Sequence, residues 1–221
     1  MRNLLRRLLV PILVAAPITI TLAQNPDTLD IFVIDTEGGE AVLYIAPTGE
    51  AMLFDTGRPE TFNRILALIE QEQIPVLDIV IVSHYHGDHV GGAGNLPSLP
   101  VRNFRQFLDH GPYTTEVQPQ QRANFERYLA VRNIAKARRA EPGETLSFGD
   151  IDVHVVGSSG ERITAPLPGA GEPNALCSNH VPKVDIRAVE NDEVVSVVVR
   201  YGDFSFLELG DMLWNHEERV V

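Results

Sequence analysis

The stretch Asp78-Ile79-Val80-Ile81-Val82-Ser83-His84-Tyr85-His86-Gly87-Asp88-His89-Val90-Gly91-Gly92 decides how this chain is read. Ile79 to Val82 is a run of β-branched apolar residues, as expected of a buried strand. It ends on three imidazoles and a carboxylate, His84, His86, Asp88 and His89, with Gly87 among them and Gly91, Gly92 and Gly94 close behind. A buried strand that opens onto a polar, glycine-flanked turn is where α/β proteins place their chemistry. Neutral imidazoles and a carboxylate packed this closely suit a divalent cation, for which they are ordinary ligands.

Upstream, Leu29–Asp35, Ala41–Ala46 and Ala51–Asp55 read as a three-stranded meander, turned at Glu37-Gly38-Gly39-Glu40 and at Pro47-Thr48-Gly49-Glu50. The third strand delivers Asp55-Thr56-Gly57. Pro59 then opens a helix whose apolar stripe is Phe62, Ile65, Leu66 and Ile69, and Pro75 closes it. Strand, helix and site-bearing strand together form a βα arrangement.

Downstream, Asn103–Asp109 is a further strand that delivers His110 and Gly111. Residues 120–139 form a helix with Phe125, Tyr128, Leu129 and Ile134 expected on its core side. That helix carries Arg122, Arg127, Arg132, Lys136, Arg138 and Arg139, the one basic patch of the chain, read as a solvated face in preference to a phosphate-contacting wall. Thr145–Phe148 and Ile151–Val156 form a hairpin across Gly149-Asp150 that points His154 to solvent, away from any ligand role. Residues 157–182, rich in Gly and Pro, read as a binding loop containing His180. A second hairpin, Val194–Tyr201 with Phe204–Leu209, ends on Gly210-Asp211.

The 221 residues suffice for one large domain, and 44% apolar against 22% charged is an ordinary globular balance. The N-terminus differs: Arg2, Arg6 and Arg7 precede an uncharged run, Leu8 to Ala23, too short and proline-broken for a membrane span. It reads as a signal peptide over residues 1–23, leaving residues 24–221 as a domain that works in the periplasm or outside the cell with no stable membrane span. The net charge of −12, more negative still without those arginines, disfavours non-specific nucleic-acid binding. A single cysteine, Cys177, excludes an intrachain disulfide, so stability rests on the core and on any metal.

A two-metal hydrolytic site needs three or four N/O ligands for each ion and a shared hydroxide whose pKa is lowered toward neutrality. His84 and His86, two apart on an extended segment, can share one ion; Asp88 and His89 can face a second, and Asp211 can bridge them. No P-loop, dinucleotide-binding glycine motif or nucleophile elbow competes.

Taken together, His84-Tyr85-His86-Gly87-Asp88-His89 after its strand, Asp55-Thr56-Gly57 upstream and Gly210-Asp211 downstream resemble the metallo-β-lactamase superfamily over about Leu29 to Asp211. Within it the chain looks most like the hydrolase domains of competence-type DNA-uptake proteins and their secreted relatives. The resemblance implies an α/β fold, an αββα sandwich of two mixed sheets, and two Zn²⁺ ions. It assigns His84 and His86 to the first zinc, Asp88 and His89 to the second, Asp211 to the bridge and Asp55 to an outer position that orients the site. Asp88 would also position the attacking hydroxide. The family's further imidazole on the first ion is assigned to His110, in preference to His154 and His180. The family also places a final histidine after the Gly-Asp motif, where this chain has only His216. The resemblance therefore implies a C-terminally truncated domain that holds its second metal less well. The implied activity is hydrolysis of an ester, of phosphodiester type, in a small-molecule or nucleic-acid substrate. The alternatives are a lactone or β-lactam hydrolase, a redox branch on the same scaffold, and a non-catalytic metal-binding member.

Overall fold

The computed structural model describes residues 27–112, 119–168, 175, 178–179, 181 and 189–217. The expected signal peptide, Cys177 and His180 lie outside the described residues. The first sheet is six-stranded, in the order β1 (Asp30–Val33), β2 (Val42–Ile45), β3 (Ala51–Phe54), β4 (Leu77–Ile81), β5 (Phe104–Asp109) and β6 (Arg138–Arg139). The β1–β2–β3 meander is antiparallel, and β3, β4, β5 and β6 run parallel. The second sheet runs β11 (Phe204–Glu208), β10 (Ser196–Tyr201), β8 (Ile151–Ser158) and β7 (Thr145–Phe148), with β9 (Glu161–Arg162) on the end of β8. Every pairing among its described strands is antiparallel.

Period-two alternation sorts the first sheet's residues into two cores. Leu43, Ile45, Leu53, Val80 and Phe107 point outward, where α1 (Phe62–Gln71) supplies Phe62, Ile65 and Ile69, and α2 (Pro119–Ala135) supplies Tyr128 and Val131. Their neighbours Val42, Tyr44, Met52, Phe54, Ile79, Ile81 and Leu108 point inward against Phe148, Val153, Val155, Val197 and Val199 of the second sheet. Because β4 feeds both layers, all five of its residues are buried. Two short α-helices, α3 (Val189–Asp192) and α4 (Trp214–Glu217), and the 3₁₀ segments Pro59–Thr61 and Gly91–Ser98 complete the described elements.

Three expectations are corrected. The basic helix ends at Ala135: Lys136 takes a left-handed φ of 56°, and Arg138-Arg139 then pair with β5 as a strand. Ile134, expected in the core, is 80% exposed, because nine residues at 100° each turn it half a revolution from Phe125. The expected loop after Val156 starts instead with the rest of β8 and the β8–β9 hairpin, turned at Ser159 and Gly160, both with positive φ.

Candidate metal centre

The connections leaving β3 and β4, together with the turn after β11, converge at one edge of the sandwich. Asp55 follows β3, and its left-handed φ of 57° swings its buried carboxylate beneath the turn that follows β4. A non-glycine residue held there is the kind of local strain that collects at functional sites. The carboxylate is fully used: Oδ1 accepts from the Ser83 amide at 2.7 Å, and Oδ2 accepts from Ser83 Oγ at 2.5 Å and from His89 Nδ1 at 2.7 Å.

This network fixes the tautomer of His84 and the orientation of His89. Ser83 Oγ donates its only proton to Asp55, so it can only accept from His84 Nδ1, 3.0 Å away. His84 Nε2 is thereby left with its lone pair and lies 3.0 Å from His86 Nδ1 and 3.8 Å from Asp211 Oδ2. His89, with Nδ1 committed to Asp55, turns Nε2 to Asp211 Oδ1 at 3.2 Å. The two oxygens of Asp211 thus face two different imidazoles.

Burial, and after it the neighbouring imidazoles, depress the His84 pKa well below its ordinary value, which keeps the ring neutral. His89 behaves oppositely. Burial alone would lower it, but hydrogen bonds to Asp211 and Asp55, with their charges, raise it to about 11. Correspondingly, the His89 hydrogen bond outweighs burial and lowers the pKa of Asp211.

Donor atoms of His84, His86 and Asp211 all lie within 4.8 Å of one another, as do those of Asp55, His84 and His89. The first set is one that a divalent ion accepts: two imidazole nitrogens and a carboxylate, with one imidazole already oriented through its other nitrogen. Asp55 is excluded from direct ligation by its three hydrogen bonds and serves to orient His84 and His89. The residues present therefore fit a metal ion.

Asp88 lines the same cleft, of about 270 Å³, with Gly38, Gly39, Glu40, His89, Gly210 and Asp211. It belongs to none of the close three-donor groups among the described residues. Its carbonyl accepts from the Glu40 amide at 3.1 Å, and Gly39 packs so tightly on it that a Cβ there would lie 2.1 Å from the Asp88 oxygen.

The assignment of His110 to the first ion is corrected. Tyr85 points to the opposite side from His84 and His86 and packs on His110, with ring centroids 4.1 Å apart. The nitrogens of His110 face Glu190 and Glu193, not Asp211. His154 is held by Thr145 Oγ1 at 2.9 Å, and His216 lies 3.3 Å from Asp192.

Sequence reasoning gave no role to Ser83 or to the pair of half-buried Glu40 and buried Glu208 beside the site. Burial raises the Glu40 pKa to about 10, helped by the charges of Asp55 and Glu208, while Glu208 accepts from Tyr44 at 2.5 Å. The signal for Ser83 was its place beside His84. Glu40 gave none, because it read as a turn residue.

Comparison with known proteins gives the family. The family model of the metallo-beta-lactamase superfamily matches residues 35–171, and the chain belongs to that superfamily. The exodeoxyribonuclease WalJ of Streptococcus pneumoniae, from two strains, is 28% identical over 121 residues, 54% of this chain and 41% of the relative. The chain thus spans about two-fifths of the length of these curated relatives. Similar solved structures include MEM-A1, a subclass B3 metallo-beta-lactamase from a soil metagenome library, at 18% identity and TM-score 0.43, covering 77% of this chain and 55% of that one. YhfI, a metallo-beta-lactamase fold protein from Bacillus subtilis, is 14% identical with TM-score 0.45, covering 83% of this chain and 63% of that one.

Proposed function

We propose that the protein is a zinc-dependent hydrolase acting outside the cytoplasm on an ester bond of phosphodiester type. The observation that carries the reading is the convergence of His84 Nε2, His86 Nδ1 and His89 Nε2 on Asp211, two of the imidazoles being pre-oriented through Asp55. His84, His86 and Asp211 would hold one zinc ion, and His89 and Asp88 a second, which would supply Lewis acidity and a water that ionises near neutral pH.

The chain's own residues do the remainder. Asp55 and Ser83 hold the rings of His84 and His89 toward the centre, so that loading the site needs no ring reorientation but releases the second proton of His89. Asp88, which lines the same cleft as Asp211, would position the attacking hydroxide.

The phosphodiester assignment is supported by the named activity of the WalJ relatives and by the basic helix α2. A Cβ at Gly87 would meet Asn124 of that helix at 3.1 Å, and one at Gly94 would meet Arg127 at 2.9 Å, so its N-terminal half flanks the site. The net charge of −12 opposes long polyanions and favours small phosphodiesters. The export assignment is supported by Arg2, Arg6 and Arg7 ahead of an apolar run.

The test is turnover of bis(p-nitrophenyl) phosphate, p-nitrophenyl acetate, a lactone and a β-lactam by zinc-loaded and chelator-stripped protein. Zinc-dependent release from the phosphodiester, exceeding that from the others, is expected. Full zinc content with no turnover on any substrate overturns the reading in favour of a non-catalytic metal-binding member.

A further inference from the structure

On the far side of Tyr85 lies a second cluster that the site above does not use. His110 follows β5, Glu190 sits in α3, and Glu193 is one residue beyond that helix. The i, i+3 spacing of the glutamates puts them on one face. Donor atoms of all three residues lie within 4.8 Å of one another. His110 is 1% and Glu190 5% exposed. Glu190 Oε1 accepts from the Tyr85 amide at 2.6 Å and pairs with His110 Nε2 at 3.0 Å. The other polar atoms of this pair, His110 Nδ1 and Glu190 Oε2, are buried without a hydrogen-bond partner among the described residues. Nδ1 instead lies 3.4 Å from Glu193 Oε2.

Two carboxyl groups brought into a buried site demand compensating positive charge, and orphaned donor atoms aimed into it call for a ligand. We propose that His110, Glu190 and Glu193 form a separate, structural site for a divalent transition cation of the Zn²⁺ type. One imidazole and two carboxylates leave room for water as a fourth ligand, which suits zinc. Calcium, with six to eight oxygen ligands, is poorly served. The site ties the end of β5 to the segment that leads into β10. Through the Tyr85 amide it also braces the peptide between His84 and His86, giving it a role distinct from the hydrolytic centre.

The test counts zinc retained after dialysis in the full chain with the first centre disabled as H86A/D211A. About one equivalent is expected to remain, and to fall to background when E193Q is added, with an unchanged far-UV circular dichroism spectrum. In the otherwise native chain, E193Q should remove the same equivalent. A disabled protein that retains no zinc overturns the proposal, as does an E193Q variant that keeps its count while losing thermal stability. The latter result marks a triad held by a proton. If E193Q fails to fold, Co²⁺ titration of H86A/D211A decides: visible d–d bands saturating at one equivalent support the site, and their absence refutes it. The first centre is read separately, from the zinc lost on introducing H86A/D211A.

Discussion

His89 Nδ1 donates to Asp55 Oδ2 at 2.7 Å, and Asp55 also holds Ser83, the residue that fixes the His84 ring. One buried carboxylate thus aims two imidazoles at Asp211. Asp55→Asn keeps the shape but cannot accept all three hydrogen bonds. Zinc affinity should fall by about 10–100-fold, the usual cost of losing such a partner. Competition titration against a chromogenic chelator measures it, and unchanged affinity would show that His84 and His89 orient themselves.

His86→Ala removes a donor that no neighbour replaces. Zinc-dependent turnover should fall by more than about 100-fold, beyond what loss of an orienting partner costs, while the melting temperature of the metal-free protein barely moves. Asp211→Asn should cut turnover alike, since Asp211 faces both His84 and His89, but should also lower the metal-free melting temperature through loss of its pairing with His89. Retained turnover in either variant refutes the centre.

Gly39 tests the cleft wall. An added Cβ would sit 2.1 Å from the Asp88 carbonyl oxygen and 2.8 Å from its Cβ. Gly39→Ala must push the loop before β2 away from the loop after β4, at about 1–3 kcal/mol of stability. Turnover should fall with it, because Asp88 moves. Chemical denaturation alongside steady-state kinetics reads both effects.

The pH profile of the metal-free protein follows from Glu40, lifted by burial from 4.5 to about 10. Between those values the folded chain binds a proton that the unfolded chain has released. Stability from this group is therefore complete below pH 4.5, shrinks as pH rises, and is lost by about pH 10. Glu40→Gln, which stays neutral, should flatten that decline and raise the melting temperature at pH 8. A variant whose decline matches the parent's would place the titration elsewhere.

On α2, Ile134→Lys should leave stability within about 0.5 kcal/mol, since its side chain faces water. Tyr128→Phe should cost about 1–3 kcal/mol, because Tyr128 is buried and donates to Asp109 at 2.6 Å. Equal effects from the two would contradict the helix orientation.

Much of the fold was legible because its signals are local. The β-branched run of β4, the turn at Gly149-Asp150 and the alternation along β8 each depend on neighbours a few residues away. The histidine cluster was legible for the same reason, as His84, His86 and His89 fall within six positions. What escaped depends on chain crossings. Ile134 is the exception, since its half revolution from Phe125 is set by the helical period alone. The partnership of His110 with Glu190 joins residues 80 apart, and spacing near the motif suggested a different partner. Glu40 and Glu208 likewise meet only after the two sheets have stacked.

The centre draws its histidines from connections of one sheet and Asp211 from the turn after a hairpin of the other. At this edge a backbone hydrogen bond from Val195 to Ser83, 2.9 Å long, joins the two halves. The apolar layer between the sheets therefore acts as a spacer gauge, its thickness setting the gap across which a cation must be gripped. Trimming Val197 or Val199, remote from any ligand, would change that gap as surely as replacing a histidine changes its chemistry. Heat that loosens the layer should likewise release metal before the sheets themselves come apart.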